Sequence, residues 1–391
     1  MRFLSLADMV PNPNSGAAGT VAMTAAALRA RGHDVEEIWA SHLGRRLRHG
    51  NLHQVFEAPR SMRRAVQEFM AKSHADVVLA SQPLGHLAAT WVDRHAPRSV
   101  FISKSHGWEP MVDVALGPHR YAWDAPRWTG VRAVPGWILH RLNMAHADRT
   151  THESHGLIVS STIDRDFIVR EHSLPADRVA VIPLAPPENY RTTPPPPIAE
   201  RAACSILNVG QAEFFKGVHT FVDLIERVVQ ARPDATFTWV ARKEALHRQR
   251  LRLTEGASPR VKWVESASRA ELLSVFDSHQ IFVFPSLFEG FGKAFLEAMS
   301  RGLCVVASDA GGMRDVITHG HDGLLCPPGD ADAFTAAILR LLAEPALREA
   351  LSTAARETAL NYSWARVGRE VETFCEERLR VRRGERDVSL R

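Results

Sequence analysis

Apolar residues in the first half of the chain gather into short β-rich runs, RFLSLA, DVVLA, SVFIS, GLIVS and RVAVI, separated by polar and turn-forming stretches. Between the runs lie stretches of helical period such as TVAMTAAALRARG, whose closing glycine is a good C-cap. Strand and helix in alternation predict a parallel sheet with crossover helices. From Ala185 to Glu200 the sequence reads APPENYRTTPPPPIAE, and proline at that density predicts an extended connector without regular structure. The alternation then restarts with SILNVG, ATFTWVA, RVKWV, QIFVF and LCVVAS, with amphipathic segments such as VHTFVDLIERVVQARP between them. The expected fold is α/β, two doubly wound Rossmann-like domains facing across a cleft at the carboxyl ends of their strands. Their expected limits are 1–185 and 201–362, with 186–200 as linker and a last amphipathic helix within 363–391.

Composition agrees with two soluble domains. The 391 residues are 45% hydrophobic and 24% charged, and the net charge of +4 suits a small anionic ligand without arguing for nucleic acid. Cys204, Cys304, Cys326 and Cys375 have no CxxC spacing and read as reduced packing residues. The start MRFLSLADMV lacks the basic and long apolar regions of an export signal, and the reading is a cytoplasmic protein. The 19 histidines show no spacing of the HExxH kind, so no metal and no separate cofactor are assigned.

The most informative stretch is EGFGKAFLE, residues 289–297, directly after the apolar run QIFVFPSLF. Pro285 and Ser286 end the strand, the glycines hold Glu289 in a loop, and a helix from about Gly292 to Arg301 carries Glu297 in its second turn. Free amides at that helix start favour phosphate. Carboxylates repel phosphate but accept hydrogen bonds from sugar hydroxyls, so the combination suits a nucleotide sugar. The plainer alternatives are a solvated helix-face acid at 297 and a capping acid at 289.

FVFPSLFEGFGKAFLEAMSRGLCVVASDAGGMRDVI, followed by HGHDGLLCPPGD, resembles the donor-binding half of the retaining glycosyltransferases of family four, which have the GT-B fold. NSGAAGTVAMTAAALRARGHDV resembles that family's first glycine-rich loop and helix, KSHGWE its loop with a sugar-facing histidine, and ILNVGQAEFFKG its phosphate-binding strand and loop. The resemblance implies that Glu297 binds the donor ribose and Glu289 the transferred sugar. It places the backbone amides of Phe291, Gly292 and Lys293 on sugar and diphosphate, Lys216 on the diphosphate, and His106 beside the reacting centre. Gly16 and Gly19 would allow close backbone approach, or only shape a turn. His106 could equally be a structural histidine and Lys216 an ordinary loop lysine. Gly311 and Gly312 read as turn glycines. Two departures from the family pattern stand out: Gln211 occupies the usual arginine position, and TWVARKEAL lacks the usual glycine, where Arg242 or Lys243 could restore positive charge. In this fold class the final helix crosses back onto the first domain.

The expected activity is retaining transfer of a hexose-type sugar from a nucleotide diphosphate sugar to a hydroxyl, in surface glycan or glycoconjugate synthesis. The alternatives are a nucleotide-sugar epimerase of the same fold and a non-catalytic sugar-binding relative. The acceptor, whether carbohydrate, lipid-linked or small molecule, is sought in the Trp- and Arg-rich segment between Ser105 and Arg149, which reads equally as an apolar flap. Arg45, Arg46 and Arg48 fit weak peripheral contact with an anionic inner-membrane surface, and equally a solvated face.

Overall fold

Strands that are buried on both faces need near-continuous apolar sequence, and that is what the apolar runs become. The computed structural model describes residues 1–391 except 13–15, 48–49, 82–83, 126–133, 244–248, 266–268 and 385–391. Its first parallel sheet contains β1 (Arg2–Ala7), β2 (Asp34–Trp39), β3 (Val77–Ser81), β4 (Val100–Lys104), β5 (Gly156–Val159) and β6 (Val179–Val181), in the order β2-β1-β3-β4-β5-β6. The second contains β7 (Ser205–Val209), β8 (Thr236–Ala241), β9 (Val261–Glu265), β10 (Ile281–Phe284), β11 (Cys304–Ser308) and β12 (Leu324–Cys326), in the order β12-β11-β10-β7-β8-β9. All of these pairings are parallel. The first order is flavodoxin-like and the second is the Rossmann order, so strand order reverses at β1/β3 in one sheet and at β7/β10 in the other.

The chain divides into two compact units. Unit 1 is Met1–Val112, Arg127–Leu184 and Trp364–Arg391; unit 2 is Asp113–Pro126 and Ala185–Ser363. Unit 1 therefore includes the final helix, Trp364–Arg383. That helix packs Gly368 against the 16–30 helix, where an added Cβ would stand 3.1 Å from Ala27 Cβ. Phe374 covers Gly156 so closely that a Cβ there would meet its ring at 2.7 Å. Glu372 pairs with Arg31 and, at 2.8 Å, with His33.

Two features differ from the sequence expectation. The stretch 186–200 is not an extended connector: Glu188–Thr192 is helical, Ile198–Glu200 is a 3-10 turn, and Tyr190 is buried. Pro187 and Pro197 each stand just before the turn, where a missing N–H costs nothing, so the prolines start short helices here. The buried Arg301 guanidinium holds the stretch by donating to the Tyr190 and Thr193 carbonyls while gripping Asp277 at 2.7 and 2.9 Å. The second difference is the excursion 113–126, which belongs to unit 2 although it lies within 1–185 in sequence. Asp124 reaches His219 at 2.9 Å, and Arg252 lies 4.6 Å over the Trp123 ring, which packs on the unit 2 core.

The four cysteines are free, and burial pushes the Cys304 and Cys326 thiols up to about 12, so they act as apolar packing groups. Among the described residues no helix is long and apolar enough to cross a membrane.

Candidate functional site

In open α/β sheets the crevice opens where strand order reverses. In unit 2 that point lies between β7 and β10, whose ladder covers only Ile206–Ile281 and Leu207–Phe282. Beyond those pairs Asn208 Nδ2 bridges the gap to the Val283 carbonyl at 2.8 Å. The strands then part, and Gly210, Gln211, Lys216, Phe284 and Ser286 are among the residues lining the pocket between their ends.

Lys216 closes a 3-10 turn, Phe214–Lys216, that is locked by Gly217 at φ +67°. A Cβ on Gly217 would fall 1.9 Å from the Pro285 carbonyl oxygen, so only glycine lets this turn sit on the β10 exit. Leu287 N–H donates to the Phe215 carbonyl at 2.8 Å and fixes the two loops together. Lys216 Nζ consequently lies 5.1 Å over the Phe215 ring and 5.5 Å over Phe284. It pairs directly with Glu289 Oε1, which also accepts from Ser286 Oγ at 2.8 Å. Glu289 is 7% exposed. Its charge is therefore compensated by one cation and one hydroxyl in a largely dry site.

The helix after this loop is Lys293–Ser300, entered through Gly292 at φ +85°. Glu297 is half-buried in its second turn, Lys293 is half-buried at its start, and the Phe291 ring is buried 5.6 Å from Phe295. Gly311 and Gly312 do more than turn the chain. A Cβ on Gly311 would lie 2.0 Å from the Glu289 carbonyl oxygen, and one on Gly312 would lie 2.4 Å from the Phe291 ring. Both glycines let the 311–316 segment back directly onto the Glu289–Phe291 loop.

Lys216, Glu289, Phe291, Gly292, Lys293 and Glu297 thus share unit 2, whereas Gly16, Gly19 and His106 belong to unit 1. Gly16 opens the 16–30 helix with nothing within 4 Å of an added Cβ, so packing there does not require glycine. Gly19 is buried. His106 is half-buried in the turn after β4, and Lys104 Nζ at the end of that strand donates to Thr24 Oγ1 at 2.8 Å, tying it to the 16–30 helix. Lys243 pairs with Glu265 at 3.5 Å, and neither it nor Arg242 lines the Lys216 pocket. Of the Trp- and Arg-rich segment, Trp108 is buried, whereas Tyr121 and Trp137 are exposed; residues 126–133 lie outside the described residues, as does Arg48.

Sequence reasoning missed Asn208, Ser286 and Gly217. Gly217 adjoins Lys216, but its importance comes from its approach to Pro285 in a loop nearly 70 residues away, and Ser286 acts locally, on Glu289 three residues on.

The two doubly wound units and their strand orders place the chain in the GT-B fold class. Sucrose-phosphate synthase from Thermosynechococcus elongatus superimposes with a TM-score of 0.72 at 19% identity, covering 96% of this chain and 99% of that one. Anabaena HepE in complex with UDP-glucose gives 0.68 at 18% identity, over 96% and 99%. Residues 203–344, within unit 2, match the family model described as glycosyl transferases group 1. Among curated proteins, the glycogen synthase of Mycobacterium tuberculosis is 29% identical over 196 residues, 48% of this chain and 45% of that protein. The chain spans about half the length of the curated relatives it matches.

Proposed function

We propose that the protein is a retaining glycosyltransferase that moves a hexose-type sugar from a nucleotide diphosphate sugar to a hydroxyl acceptor. One observation carries the reading: at the β7/β10 switch point a lysine and a buried glutamate are paired, one suited to phosphate and the other to sugar hydroxyls. HepE, similar in fold, is described with UDP and with UDP-glucose, which supports a nucleotide-sugar donor for this chain. The relatives' names, glycogen synthase and O-antigen chain mannosyltransferase B among them, support a place in glycan synthesis.

In this reading a donor exchanges partners within the site. Its diphosphate takes Lys216 from Glu289, and its sugar hydroxyls take Glu289 from Lys216, so both charges are compensated before and after binding. Glu297 holds the ribose, and the amides at Phe291, Gly292 and Lys293 face the sugar and diphosphate. As the anomeric C–O bond breaks, its electron pair leaves with the diphosphate, whose growing charge Lys216 and the amides stabilise. The acceptor oxygen bonds to the anomeric carbon on the face just vacated, and its proton passes to a departing phosphate oxygen. No metal has a part in this step. His106, Gly16 and Gly19 keep the roles that the family resemblance gives them, and the acceptor is a carbohydrate, lipid-linked or small-molecule hydroxyl.

Titration calorimetry with UDP-glucose and other nucleotide diphosphate sugars tests the assignment. Glu297→Ala is expected to weaken the best donor by about 1.5–3 kcal/mol, the range for hydrogen bonds to a charged group. Unchanged affinity overturns the ribose role. Product analysis must show a new glycoside; an epimerised nucleotide sugar would overturn transfer itself.

A further inference from the structure

A second cluster with the makings of a site lies in unit 1. Asp148 and His152 stand one turn apart on the same face of the helix Val134–Glu153. Opposite them His172 caps the C-terminus of the helix Thr162–Glu171, with its backbone fixed by a hydrogen bond to Ile168. His172 Nδ1 is 2.9 Å from Asp148 Oδ1, His152 Nε2 is 3.5 Å from the same oxygen, and the three candidate ligand atoms lie within 4.8 Å of one another.

We infer that Asp148, His152 and His172 form a binding site for a divalent transition-metal ion of the zinc, cobalt or nickel kind. Two imidazoles and one carboxylate suit that class, whereas magnesium and calcium prefer all-oxygen sets. An ion about 2.0–2.2 Å from each ligand atom requires separations of roughly 3–3.6 Å; the two distances to Asp148 nearly meet this, and the third, between the histidines, lies within 4.8 Å and needs a turn of the His152 ring to close. His152, 50% exposed, has room to adjust its ring, and Asp148 is equally accessible at 53%. His172 is the fixed ligand. Its side chain is 11% exposed and its ring meets Trp108 edge-on at 5.9 Å, while its Nε2 is buried with no hydrogen-bond partner among the described residues. Nδ1 is the ring atom turned towards the cluster, where it contacts Asp148 Oδ1 and would have to exchange that contact for an ion. The remaining coordination positions face water.

The ion would tie together the two helices that grip Trp108. Trp108 is buried in one apolar cluster with Ala147, next to Asp148, and with Ile168, four residues before His172. The site thus braces the seat of the loop that carries His106. Without an ion, Asp148 would simply accept hydrogen bonds from both rings through the same oxygen, so binding has to be measured directly.

Tag-free protein stripped with a chelator is titrated with Co²⁺, followed by visible absorption, and with Zn²⁺, followed by calorimetry. One ion per chain is expected, with the thermal midpoint rising as metal is added. His152→Ala, on the exposed face, keeps the fold and is expected to weaken binding by at least about tenfold. His172→Gln and Asp148→Asn should do the same, while His321→Ala should leave affinity unchanged. No saturable binding below about 1 mM, or binding that survives intact in His152→Ala, overturns the site.

Discussion

Replacing Lys216 and Glu289 singly and together isolates the ion pair at the centre of unit 2. At hydrogen-bond contact, about 3 Å, and an effective dielectric near 20, their gross attraction is about 5 kcal/mol. The pair is only partly dry, with side-chain exposures of 20% and 8%, and desolvation offsets much of that figure. We therefore expect a coupling energy of about 1.5–3 kcal/mol. Lys216→Met alone leaves a buried carboxylate with the Ser286 hydroxyl as its remaining partner among the described residues, and should cost about 2–4 kcal/mol. Glu289→Gln alone leaves a cation that still faces two aromatic rings and some water, and should cost less. The double variant should be clearly more stable than the sum of the single losses implies. Urea unfolding of the four proteins supplies the cycle, read from the unit 2 transition if the two units unfold separately. Additivity within about 0.5 kcal/mol would refute the pairing, and with it the exchange of partners proposed for donor binding.

Two further outcomes follow from buried charges. His86 and His146 stack at 4.7 Å in unit 1, and burial first, then His146 for the His86 ring and Arg149 and Arg60 for both, hold the rings below the usual histidine range, His86 at about 4. The unfolded chain protonates His86 near 6.5 while the folded one refuses that proton until about 4, so this stability is complete above 6.5 and is lost as pH falls towards 4, and His146, also lowered, acts in the same direction. The loss should reach about 1–3 kcal/mol. His86→Leu should flatten the acid limb in urea midpoints measured across that range; an unchanged slope would count against the assignment. Arg301→Met strips Asp277 of its bidentate partner and frees the Tyr190 and Thr193 carbonyls, and should cost about 3–5 kcal/mol. A loss under about 1 kcal/mol would show that the 186–200 stretch is held by something else.

The strands were legible because parallel strands buried on both faces must be apolar along their whole length, as Val77–Ser81 and Ile281–Phe284 are. β2 escaped notice because as an edge strand it carries Glu36 and Glu37, and β12 because its three residues, Leu324–Cys326, run straight into Pro327 and Pro328 and read as a turn. The prolines of 186–200 were read as breakers, yet whether a proline ends or begins a turn depends on what buries the next residues, here Tyr190 and Arg301. The excursion 113–126 is held by Asp124–His219 and Trp123–Arg252, pairs far apart in sequence that no local window can see. The acidic and glycine-rich parts of the unit 2 site were legible because spacing and chemistry coincide within nine residues. Their partner Lys216 lies 73 residues earlier, and only the strand order explains why it meets Glu289.

The final helix has a consequence for synthesis. Unit 1 keeps an open apolar face over β4, β5 and the 16–30 helix until Val371, Phe374, Cys375 and Leu379 have been made. Between Leu184 and Trp364 the ribosome adds roughly 180 residues, which takes roughly 10–40 s at about 5–20 residues per second. Throughout that interval the first-made half waits with its sticky face bare, and at its end unit 2 has all of its own chain while unit 1 still lacks its final helix. The unit encoded first is therefore the last to be sealed, and a ribosome that stalls before Trp364 releases a nascent chain whose earliest part is the one in need of a chaperone.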